Sequence, residues 1–83
     1  MPTRVFDDED GIRWNGFAEE TIVAHGKQGA RLAFRADAGD SGEAIRTTVT
    51  FNSMPAAALA LRTMSERELR RRLSLARMAA GGV

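Results

Sequence analysis

Apolar and polar residues alternate with a period of two through the first half of the chain, and toward the C-terminus the period lengthens to that of a helix. Arg4-Val5-Phe6 is a short apolar run that stops at Asp7-Asp8-Glu9-Asp10-Gly11, where acids and a glycine favour a turn, and Ile12 and Trp14 resume the alternation. This predicts a hairpin with strands near residues 3–7 and 11–18, and a bulge or close backbone approach at Gly16, where the alternation shifts to reach Phe17. Thr21 to His25 is β-branched and apolar and ends at Gly26-Lys27-Gln28-Gly29, a tight-turn sequence. Ala30, Leu32, Phe34 and Ala36 then alternate with Arg31, Ala33 and Arg35. After a glycine-containing loop over 37–43, Ile45, Thr47, Val49 and Phe51 alternate with Arg46, Thr48 and Thr50.

Four or five strands joined this closely form an antiparallel meander, because no connection between them is long enough for a helical crossover. Asn52 to Met64 is a connection in which Ala56 to Leu61 stays open between a helical turn or two and a packed loop. Ser65-Glu66-Arg67-Glu68 has the form of a capping box, with Met64 and Leu69 placed as a hydrophobic staple. A helix is therefore expected from Glu66 to about Ala79 or Ala80, ending at Gly81-Gly82. At about 100° per residue, Leu73, Ala76 and Ala80 fall within about 40° of Leu69 and make a narrow buried stripe. Leu75 and Met78 fall outside it, at about 240° and 180°. The expected fold is α+β: one domain over residues 1–83, with an antiparallel sheet (1–51), open or curled into a partial barrel, under a C-terminal helix (65–80) and a short tail (81–83).

With 83 residues a second core cannot be built, and a chain this short buries only about 60–65% of the surface its unfolded form exposes. Association with a second copy or a larger partner would add to that thin margin. The net charge of +1 conceals a polarity: residues 1–20 hold two arginines against six acids, whereas residues 62–83 hold six arginines against two. The arginines of the C-terminal helix raise the prospect of nucleic-acid binding. However, Glu66 with Arg70 and Glu68 with Arg72 stand i, i+4 with the acid first, which answers part of that charge locally. Arg67, Arg71 and Arg77 remain as candidate phosphate contacts, with no aromatic residue among them to stack bases. Arg31, Arg35 and Arg46 on the two later strands are expected to help protect sheet edges.

Chemistry is sparse. The absence of cysteine excludes a disulfide framework, a thiol nucleophile and a thiolate metal site, and fits a cytoplasmic setting. The acidic N-terminal segment is unlike a signal peptide, and no apolar run is long enough to span a membrane. Asp8-Glu9-Asp10-Gly11 superficially resembles a calcium loop, but the spacing puts Phe6 at the first ligand position and Phe17 where the bidentate acid belongs. His25 closes an apolar run with no nucleophile placed to use it, and there is no phosphate-cradling glycine pattern; Gly39-Asp40-Ser41-Gly42 is too short and acidic. No catalytic residue, cofactor or metal ligand is therefore expected. Trp14 can be core or interface anchor.

Arg4, Phe6, Asp8, Gly11 and Trp14 in the pattern R-x-F-x-D-x-x-G-x-x-W, the strand Leu32-Ala33-Phe34, Pro55, and the helix start Ser65, Glu68, Leu69 together resemble a group of short uncharacterised bacterial proteins. The chain departs from that group in lacking a second tryptophan after Pro55 and in its longer segment between Trp14 and Leu32. The resemblance implies the order sheet, then helix, and no activity. The expected function is a noncatalytic interaction module, accessory or regulatory, that binds another protein or itself through the sheet face or edge or through the helix, where Leu75, Met78 and Arg71 are the candidate interface.

Overall fold

The computed structural model describes residues 3–37 and 44–80. The expected loop beyond Asp37, the Gly39-to-Gly42 stretch and the tail 81–83 lie outside the described residues, as does the side chain of Ala80. Strand β1 (Thr3–Asp7) pairs antiparallel with β2 (Arg13–Ile22), Phe6 lying opposite Trp14. The acidic run between them is a constructed turn. Asp8 Oδ1 accepts the backbone N–H groups of Asp10 and Ile12 at 2.8 and 2.9 Å, and Gly11 takes φ +81°, a left-handed conformation that glycine adopts without a Cβ clash.

The second strand is longer than the sequence pattern suggests. Thr21 and Ile22 form no separate strand but complete β2, and a short 3₁₀ turn at Ala24–Gly26 then leads to β3 (Gln28–Ala36). Glu19 and Glu20 do not end β2, because Glu19 faces Arg31 across the ladder and accepts Arg46 Nε at 2.6 Å. His25 sits exposed on the 3₁₀ turn with φ 64°. Strand β4 (Ile45–Phe51) completes a four-stranded meander in the order β1-β2-β3-β4. The sheet stays open, and the partial barrel is not formed.

Gly16 makes the close approach rather than the bulge. The register runs through it unbroken on both sides, and a Cβ there would stand 3.3 Å from the Phe34 ring and 3.5 Å from Leu61. The irregularity lies between β3 and β4, where Arg31 faces Thr50 but Ala33 faces Arg46, so β4 accommodates two residues more than β3. An even insertion leaves inward and outward residues on their own sides, which is why the alternation of β4 hides it. Thr47 repairs the interrupted ladder. Its buried hydroxyl donates to the Leu32 carbonyl at 2.8 Å and accepts the Val49 N–H at 3.0 Å.

Beyond the sheet, the open segment resolves as helix α1 (Met54–Thr63). Ser53 Oγ caps it by accepting the Ala56 N–H at 3.2 Å, and Pro55 stands in the first turn, where its missing N–H costs nothing. Helix α2 (Glu66–Ala80) starts as expected, with Ser65 Oγ accepting the Glu68 N–H at 3.1 Å. Leu69, Leu73 and Ala76 are buried against the sheet together with Leu61 of α1, beneath Leu32 and Phe34. Each buried leucine contributes about 1.5–3 kcal/mol relative to exposure. Whereas α1 lies mainly over β2, α2 touches β1 and β4, the two edge strands. Arg31 and Arg35 sit on the interior strand β3 and guard no edge, whereas Arg46 lies exposed on the edge strand β4, as expected.

Candidate functional site: the outward side of α2 and the acidic turn

The 3.6-residue repeat that buries Leu69, Leu73 and Ala76 turns Arg67, Arg71 and Met78 away from the sheet and leaves Leu75 on the flank of α2, where it also borders a small depression with Thr47, Thr48 and Val49 of β4. Leu75 is 49% exposed and Met78 70%. Because α2 touches the end of β1, the acidic turn lies alongside this surface. Asp8, Asp10, Arg77 and Met78 line one shallow depression of about 430 Å³. Glu9, Arg67, Arg71 and Leu75 line a second of about 490 Å³. The three residues proposed as an interface, Leu75, Met78 and Arg71, are therefore on one side of one helix.

The charges of this region divide into engaged and unengaged groups. Trp14, one of the buried core residues, donates its indole N–H to Asp8 Oδ2 at 2.9 Å, and the guanidinium of Arg77 lies 3.8 Å from the same oxygen and 5.6 Å above the indole. The Trp14 hydrogen bond is the largest cause holding the Asp8 carboxyl below its ordinary value, against the opposing effect of burial; the Ile12 and Asp10 N–H groups and Arg77 assist. A carboxylate committed to three N–H donors is part of the turn's framework, which removes Asp8 from the calcium pattern considered above. Arg70 donates to the Asp7 carbonyl at 3.2 Å and approaches Glu66 at 3.4 Å, tying α2 to β1. Arg71 and Arg72 share Glu68, at 3.4 and 2.7 Å, the second being an ion pair without hydrogen-bond alignment.

Of the three cations offered for phosphate, Arg71 and Arg77 thus have partners within the fold. Arg67 is exposed and, like Glu9 and Asp10, makes no ion pair among the described residues. His25 lies on a different part of the chain from this surface, at the turn before β3. Among the described residues no group of three or more histidines, cysteines or acids is placed to hold a metal ion, and no helix is long and apolar enough to cross a membrane.

Arg4 has a role that the sequence pattern did not reveal. Its Nη1 donates to the carbonyls of Leu61, Arg62 and Met64 at 3.0, 3.3 and 2.8 Å, placing a cation on the unsatisfied end of α1. No local spacing signals a contact made across this much of the chain. The Asp8 turn was more accessible, since an aspartate preceding a glycine at this distance signals a side-chain-closed turn. Every residue of R-x-F-x-D-x-x-G-x-x-W now has a structural role. Arg4 caps α1, Phe6 meets Phe34 edge-on at 5.6 Å, Asp8 closes the turn, Gly11 supplies the positive φ, and Trp14 fills the core and binds Asp8. No family model, curated protein or solved structure matches the chain.

Proposed function

We propose that the chain is a noncatalytic interaction module, an accessory or regulatory protein acting in the cytoplasm, that binds another protein or a second copy of itself through the outward side of α2. The observation that carries this reading is the joint exposure of Leu75 and Met78 on a helix whose buried residues against the sheet are Leu69, Leu73 and Ala76. Other exposed apolar side chains, Val5, Ile12, Ile22 and Leu59, stand on different elements and form no such pair on one helix. Arg71 beside Leu75 adds a side chain suited to the rim of a protein contact.

The test is a pair of charge insertions. Leu75→Asp strongly weakens association of the purified chain, or its capture of a partner, while Leu59→Asp on the exposed side of α1 leaves it intact. Association indifferent to both Leu75→Asp and Met78→Asp overturns the reading. Nucleic-acid binding through Arg67, Arg71 and Arg77 has weaker support, because two of these arginines are already partnered and Glu9 and Asp10 border the same surface. It requires binding at low ionic strength that falls steeply with added salt.

A further inference from the structure

We infer that the occupant of this surface is a second copy of the chain, docked about a two-fold axis so that the acidic turn of each copy meets the arginine side of α2 on the other. This deepens the interaction reading and rests on it. The surface is segregated by sign: Glu9 and Asp10 on the hairpin turn border one side of the depressions, and Arg67 and Arg71 on α2 border the other. A partner of one sign, such as a nucleic acid or an acidic peptide, gains from one half and is repelled by the other. A copy turned through 180° gains from both, because a two-fold contact sets a patch against itself and every pair occurs twice.

Glu9 and Arg67 line the same depression, yet among the described residues neither forms an ion pair within one molecule. An axis passing between them places Glu9 of each copy on Arg67 of the other and covers the adjoining Leu75 and Met78. The added burial also answers the thin stability margin of so short a chain.

Sedimentation equilibrium of the intact chain at low ionic strength, from about 1 μM to 1 mM, tests this directly. Dimerisation is expected, weakened about a hundredfold by Leu75→Asp and about tenfold by either Arg67→Glu or Glu9→Arg, since each reversal turns two attractive pairs into two repulsive ones. The two reversal variants mixed in equal amounts are expected to regain wild-type affinity as a mixed dimer, a result that loss of folding cannot imitate; circular dichroism checks each variant separately. A chain that stays monomeric throughout overturns the inference, and if it then captures another protein in a Leu75-dependent manner, the interaction reading survives alone. A dimer weakened by Leu75→Asp but untouched by both reversals overturns the proposed pairing. A dimer insensitive to Leu75→Asp and Met78→Asp overturns both the inference and the reading beneath it.

Discussion

The hairpin turn and the outward side of α2 are neighbours of opposite charge, and they use their side chains in different ways. At the base of the turn, charge is consumed by the fold: Asp8 accepts three N–H groups, Arg77 covers Trp14, and Arg70 reaches the Asp7 carbonyl, while Glu9 and Asp10 at its tip make no ion pair among the described residues. On the outward side of α2, Arg67 makes no ion pair among the described residues, and Leu75 and Met78 stay largely exposed. An arginine-rich helix is thus two surfaces in one. The difference shows that abundance of a residue type says less about function than whether the fold has already engaged it.

The largest effect that would separate the two regions belongs to Trp14→Ala, which opens the core and leaves Asp8 without its indole donor. It is expected to cost about 3–5 kcal/mol by chemical denaturation, a large share of the stability available to a domain of this size. Arg4→Ala strips the cap from α1 and is expected to cost about 1–3 kcal/mol, with hydrogen exchange rising first near the end of that helix; Arg4→Lys, which keeps the charge but loses the guanidinium geometry, costs less. Thr47→Val keeps the shape but removes the hydroxyl bridging Leu32 and Val49, at about 1–2 kcal/mol in the same assay.

Asp8 predicts a pH dependence. Its carboxyl is held below the ordinary value of 3.8, with Trp14 as the main cause, so ionisation is easier in the folded chain than in the unfolded one. The stability this provides is complete above the ordinary value and is lost as pH falls through the lowered native one. The advantage of wild type over Asp8→Asn therefore shrinks under increasing acid, and a constant difference down to strongly acidic pH contradicts this account of the turn. The smallest effect is expected for Met78→Asp, which leaves monomer stability within about 0.5 kcal/mol. A large loss there would mean that the outward side of α2 is structural after all and would erase the contrast between the two regions.

Much of the fold could be read in advance because the signals were local. The Ser65 cap, the stripe of Leu69, Leu73 and Ala76, and the inward set of β3 and β4 each depend on residues a few positions apart. Three features escaped for identifiable reasons. The length of β2 was concealed by Glu19 and Glu20, which look like a strand end until Arg31 and Arg46 arrive from other strands. The bulge of β4 was silent because two extra residues preserve the two-residue period. Helix α1 was ambiguous because Ala56 to Leu61 is apolar without a pronounced period, and its cap at the far end comes from Arg4. At the candidate site, the positions of Leu75 and Met78 off the buried stripe followed from helical geometry alone; the partners of Arg71 and Arg77 did not, the second because Asp8 is distant in sequence.

Periodicity, caps and turn chemistry therefore determined from the sequence that this chain makes an antiparallel sheet followed by a capped amphipathic helix. They determined also which leucines that helix buries. The tertiary structure alone decided which charges serve as struts and which stay available, because an ion pair or a capped carbonyl depends on distances of a few ångströms between segments far apart in the chain, and one-dimensional spacing carries no measure of those distances.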